Sequence, residues 1–157
     1  MSRHGGTPAS RPLRVSDLVG AWRLRSWASV FEDGTVGYVM GDAPAGLLAY
    51  TDSGTMVTTI STGDRPPIDG NDPLGGRDDH RLAAMTTFFA YAGTFRVDGA
   101  DVVHDVTVSL YPNWVGGSQR RHAVLSDDRR VLTLSTDLIV ARGRPSIQRL
   151  VWERVGS

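Results

Sequence analysis

Between Val103 and Leu125, apolar and polar residues alternate, and the run holds an imidazole at His104, an amide at Gln119 and a guanidinium at Arg121. Together these groups can take up a proton, orient a carbonyl and stabilise a developing negative charge. If residues 102–110 and 118–125 pair as a hairpin, Leu110 faces Gln119, Val108 faces Arg121, Val106 faces Ala123 and His104 faces Leu125. One side of the ribbon then carries all eight of these residues as an apolar wall with three polar positions. A slip by one residue would mix the two sides, so the hydrophobic pattern favours this pairing. A buried polar group without a partner costs about 1–3 kcal/mol, so a purely structural core would not hold three of them. Small-molecule pockets, by contrast, are mostly apolar with a few placed donors. Trp114, on the connection at residues 111–117, would cap such a cavity. The plainer reading makes Trp114 a plug, sends Arg121 past the rim and leaves His104 a satisfied core histidine.

Other side chains could join the same wall. Tyr50 and Tyr91 offer phenols, and Ser26, Met56 and Phe89 offer further lining; barrel filling is the competing reading for Tyr50, Met56 and Tyr91. Folding a flexible molecule into its reactive conformer can supply about 7–11 kcal/mol of a barrier. One donor aimed at developing charge adds about 3–4 kcal/mol. Such a catalyst needs no cofactor and no metal.

The composition narrows the chemistry further. The chain has no Cys and no Lys. That removes thiolate nucleophiles, disulfides, Cys-ligated metals, lysine imines and the P-loop lysine. His4, His80, His104 and His122 show no ligand spacing, no Gly-x-Ser-x-Gly elbow occurs, and Gly75-Gly76 is too little for a dinucleotide turn. With 17 basic and 17 acidic residues the formal net charge is zero, and no basic stripe points to nucleic acid or an anionic membrane. No run approaches the ~18 apolar residues of a membrane span. A hydrophobic small molecule is the expected partner, a homo-oligomer is left open, and the expected compartment is the cytoplasm.

Period-two alternation predicts strands at 18–31, up to about 40, 46–51, 55–61, 94–97, 102–110, 118–125, 131–137 and 147–155. On the first strand the even positions, Ser26 among them, are the expected interior face. Residues 62–76 read as loop. Asp78 and Asp79 open a helix of about three turns ending near Gly93, its stripe of Leu82, Met85, Phe88 and Phe89 forming core or a lid. The expected fold is all-β: an antiparallel barrel of 8–10 strands with one short α-helix near its mouth, an orthogonal sandwich being the alternative. A leader over 1–14, expected to be disordered, precedes a single domain over 15–157.

Several stretches resemble the small lipocalin-like domain proteins of bacteria and fungi. They are LVGAWRL from Leu18, GLLAY from Gly46, AYAGTF from Ala90, VHDV from Val103 with Ser109-Leu110, PNWVG from Pro112 and LVWER from Leu150. The resemblance implies a lipocalin-like barrel closed at one end by Trp22 stacked against Arg154. Such proteins are often encoded among genes for polyketides and other specialised metabolites, and some small β-barrel relatives are cofactor-independent cyclases or isomerases, pericyclases included. Together with the mixed-lining wall, the resemblance points to a cofactor-free cyclase or isomerase acting on a hydrophobic polyketide-type intermediate inside the barrel. A non-catalytic carrier of such a molecule is the alternative, and a filled barrel serving as an interaction module is the third reading.

Overall fold

Period-two alternation becomes nine antiparallel strands in a computed structural model that describes residues 11–156. In chain order the elements are α1 (Val15–Leu18), β1 (Gly20–Phe31), β2 (Val36–Tyr38), β3 (Ala45–Tyr50), β4 (Thr55–Ser61), α2 (Asp78–Thr86) and β5 (Phe88–Asp98). They continue with β6 (Asp101–Ser109), a 3₁₀ turn (Pro112–Trp114), β7 (Ser118–Leu125), β8 (Val131–Ala141) and β9 (Arg144–Arg154). β1 pairs with β3 over Gly20–Arg23 and with β9 along most of its length, so eight strands close into a barrel. β2 is a ninth strand on the far half of β1.

Closure removes sheet edges and gives every strand one inward face. Side chains pack one end solid. Leu18, Trp22, Tyr50, Met56, Phe95, Val102 and Leu132 are buried there, at the starts of β1, β4 and β8 and the turn between β5 and β6. The Arg154 guanidinium lies 4.1 Å from the centre of the Trp22 ring and donates to Val19 O at 2.9 Å and Asp17 O at 2.6 Å. Trp22 Nε1 donates to Leu18 O at 2.9 Å. This end is a lid of indole, guanidinium and α1.

Three bulges and a turn reset the strand phase from the sequence reading. On β1 the register shifts between Leu24 and Ser26, so Trp27 and Ser29 face inward where the even positions were expected to. On β6 it shifts between Val106 and Val108, because Gly93 of β5 pairs with the first and Ala92 with the second. Gly93 is needed there: a Cβ on it would lie 1.9 Å from Asp105 O. β8 shifts once more between Ser135 and Leu138.

The helix is shorter than expected. α2 ends at Thr86, and residues 88–93 are strand, with Phe89 and Tyr91 on the inner face. Leu82 and Met85 stay exposed and α2 buries nothing, so its apolar stripe is neither core nor lid. Pairing of β5 with both β4 and β6 overrides the weak helical period of this segment. Residues 1–10 of the expected leader, His4 included, lie outside the described residues. Residues 11–14 are tied to the barrel, Arg11 donating to the buried Asp17 at 2.8 Å and Leu13 packing on the core. Among the described residues no helix is long and apolar enough to cross a membrane.

Candidate ligand-binding cavity

The other end of the barrel is hollow. A cavity of about 640 Å³ opens among the end of β1, the starts of β5 and β9, the β6–β7 connection and the far half of β8. Its apolar wall comes from Trp27, Val39, Leu48, Ile60, Phe89, Leu134, Ile139, Val140 and Leu150. Its polar positions are Ser29, Thr58, Tyr91, His104, Gln119, Arg121, Thr136, Gln148 and Trp152, together with the exposed Arg120, Asp137 and Arg142.

His104 sits at the boundary between packed core and cavity. Tyr50 Oη lies 2.7 Å from its Nε2 and Tyr91 Oη lies 2.8 Å from its Nδ1, so both ring nitrogens are occupied. The side chain is 1% exposed. Burial, helped by the nearby Arg121 charge, pulls its pKa down to about 3, so the imidazole is neutral across the physiological range. Burial pushes the Tyr50 phenol well up and the Tyr91 phenol up, the Arg121 charge opposing the rise at Tyr91. All three groups are neutral hydrogen-bonding partners near pH 7.

Gln119 pairs directly across from His104, and Arg121 across from Val102. Relative to the register read from sequence, β7 has slid six positions along β6. Six is even, so His104, Gln119 and Arg121 keep a common face although every pairing changed. The cause is the connection. Val106 N donates to Gly117 O and Gly116 N donates to Val106 O, both at 2.9 Å, which closes the hairpin four residues earlier than Leu110. Trp114 then folds back on edge-to-face contacts with Phe89 (5.1 Å), Tyr91 (5.4 Å) and Tyr111 (6.2 Å), with Arg121 at 5.9 Å from its ring. Trp114 builds one wall of the mouth and does not plug it.

The remaining expected residues divide cleanly. Phe89 and Tyr91 line the cavity. Tyr50 stands behind His104, and Met56 is fully buried in the packed end; neither reaches the cavity. Val106 is buried on the inner face but outside the lining. Val108 is 63% exposed, a correction that follows from the β6 bulge. Leu110 lies past the end of β6, and Ser26 falls off the inner face at the β1 bulge; neither lines the cavity.

The sequence reading missed the wall opposite His104. Gln148 Nε2 donates to Ser29 Oγ (2.9 Å) and Ser146 Oγ (2.8 Å), while Trp27 Nε1 donates to Gln148 Oε1 (2.8 Å). The signal was there: Ser146 and Gln148 are in phase with Leu150 and Trp152 along β9. Two buried atoms at the cavity, Thr58 Oγ1 and Trp152 Nε1, find no hydrogen-bond partner in the protein. Among the described residues no group of three or more His or acidic side chains is placed to hold a metal ion.

The model of the lipocalin-like domain matches residues 19–155. The chain belongs to the lipocalin-like domain family. The chain is 34% identical over 99 residues to the 4'-hydroxy-3'-methoxypropiophenone carrier protein ppsC of Aspergillus oryzae, covering 57% of this chain and 87% of that protein. Among solved structures, a lipocalin-like protein from Bacteroides uniformis aligns with TM-score 0.43 and 19% identity over 85% of this chain and 97% of that one. A protein from Bacteroides eggerthii aligns with TM-score 0.44 and 13% identity over 87% and 98%. The Trp22–Arg154 stack closes this lipocalin-like barrel at one end, and the Tyr50–His104–Tyr91 chain divides its packed half from its hollow half.

Proposed function

We propose that this lipocalin-like domain binds a small, apolar, oxygen-bearing aromatic molecule in its barrel and carries it. The observation that carries this reading is the cavity. At about 640 Å³ it falls inside the roughly 300–1,000 Å³ range of small-molecule sites, and its mixed lining matches theirs. The relative named as a carrier of 4'-hydroxy-3'-methoxypropiophenone supports the same reading. That name describes an aryl ketone with phenol and methoxy oxygens. Its ring suits Trp27, Phe89 and Ile60, and its oxygens suit the donors beside them.

The test is titration with that ketone, read by tryptophan fluorescence, since Trp27, Trp114 and Trp152 all line the cavity. Saturable one-to-one quenching with micromolar or tighter affinity is expected, and mass spectrometry should return the ketone unchanged. A flat titration would end the carrier reading.

A second reading, cofactor-free isomerisation or cyclisation of a polyketide-type carbonyl compound, draws on one observation. Tyr91 and Arg121 place a neutral acid and a fixed cation at the same wall, where they would stabilise charge developing on a carbonyl oxygen. A folded chain confined in the cavity would gain from preorganisation as well. Recovery of an isomer faster than in buffer alone, lost in Arg121→Ala, would favour this over carriage.

A further inference from the structure

The Tyr50–His104–Tyr91 chain has a direction. A neutral imidazole carries one N–H and one bare nitrogen, so one tyrosine must donate to it and the other must accept from it. Tyr50 is 2% exposed, does not line the cavity, and has His104 Nε2 as its one side-chain partner. If Nε2 carried the proton, the Tyr50 O–H would face Nε2–H and be left buried and unpaired. That penalty biases the tautomer by about fivefold or more. Nδ1 therefore carries the proton and donates to Tyr91 Oη at 2.8 Å. With that acceptor direction filled, the Tyr91 O–H must point elsewhere. Arg121, beside it, has only donors and cannot receive it. The cavity, which Tyr91 lines, is what remains.

We infer that Tyr91 presents its O–H to the cavity as a fixed donor, set by the Nδ1–H tautomer of His104, and that the bound molecule meets it with a ketone-type carbonyl oxygen. A second observation points the same way. Thr58, the cross-strand neighbour of Tyr91, and Trp152 each bring a buried, unpartnered polar atom to this cavity. The indole N–H is donor-only and the hydroxyl is free to donate, so both add donors to the cavity beside the guanidinium of Arg121. These groups suit a molecule with two or more acceptor oxygens, while the Asp137 carboxylate that also lines the cavity is held by His122 Nε2 at 2.7 Å. This assignment rests on the carrier reading above and specifies which atom the carrier grips.

Two measurements test it. Nitrogen-15 NMR of the full-length protein at neutral pH should show His104 neutral with Nδ1 protonated; an Nε2–H tautomer overturns the inference with no ligand involved. Propiophenone and propylbenzene, alike in shape except for the carbonyl oxygen, are then titrated. The ketone should bind about tenfold more tightly, one hydrogen bond's worth, and Tyr91→Phe should erase that preference while propylbenzene affinity stays. The carbonyl stretch of propiophenone bound to the unmodified protein should also lie below its value in hexane, a readout that does not depend on the variant folding. Equal affinities, or an unshifted stretch, overturn the role of Tyr91 and leave the carrier reading standing. Binding of neither probe overturns both.

Discussion

Acidification to about pH 5 should cost the barrel about 2 kcal/mol through His104 alone. The side chain is buried as a neutral ring with a pKa of about 3, whereas the unfolded chain titrates near 6.5. Because the folded value is the lower one, the unfolded state takes up the extra proton. Stability is therefore full above about pH 6.5 and falls as the pH drops from there toward about 3. About 1.5 pH units below 6.5, at about 1.36 kcal/mol per unit, gives the 2 kcal/mol. Other groups titrate as well. Hydrogen bonds to Asp137 and Asp101 raise the pKa of His122, so its contribution is present below the unfolded value and lost as pH rises through the folded one. Asp101, lowered by its hydrogen bonds to Arg120 and His122, loses its contribution only at more acid pH, below the usual carboxylate range. A variant isolates the term of interest. His104→Gln keeps an amide between the two tyrosines and cannot titrate. Urea unfolding of both proteins at about pH 7.5, 6 and 5 should show the unmodified chain losing about 2 kcal/mol more than the variant. Parallel profiles would refute the buried, neutral imidazole on which the cavity's donor pattern depends.

Three further outcomes follow from the geometry. Gly93→Ala drives a Cβ to 1.9 Å from Asp105 O, so β5 and β6 must separate at the bulge; a loss of about 3 kcal/mol or more is expected in thermal or urea melts. Arg154→Ala removes the stack on Trp22 and the bonds to Val19 O and Asp17 O, and should lower stability by about 3 kcal/mol with little change in ligand affinity. Trp114→Ala opens the mouth wall against Phe89 and Tyr91, and should speed ligand release about tenfold in stopped-flow fluorescence while lowering stability by about 2–3 kcal/mol in the melt, since its ring is only partly buried.

Much of this protein is legible in its residue order. Alternation over residues 55–61 and 118–125 matches β4 and β7 residue for residue. The Trp22–Arg154 pair followed from resemblance. The common face of His104, Gln119 and Arg121 survived a register change because strand parity has period two. What failed did so at identifiable places. Val108 and Ser26 were misplaced by bulges, which add one residue to a strand and leave no mark in its composition. Phe89 and Tyr91 were read into a helix because a short aromatic run fits either period, and only the pairing partners β4 and β6 choose between them.

Taken alone, then, the residue order determined an antiparallel barrel, a polar trio on one face and an aromatic turn at residues 111–117, because local period and side-chain chemistry suffice for each. It could not determine that the barrel is packed at one end and hollow at the other, since that depends on which strands meet at which register. Nor could it bring Tyr50 and Tyr91 to the two nitrogens of His104, 54 and 13 residues away along the chain. Tertiary structure decided both, through three bulges and the closure of β1 on β9.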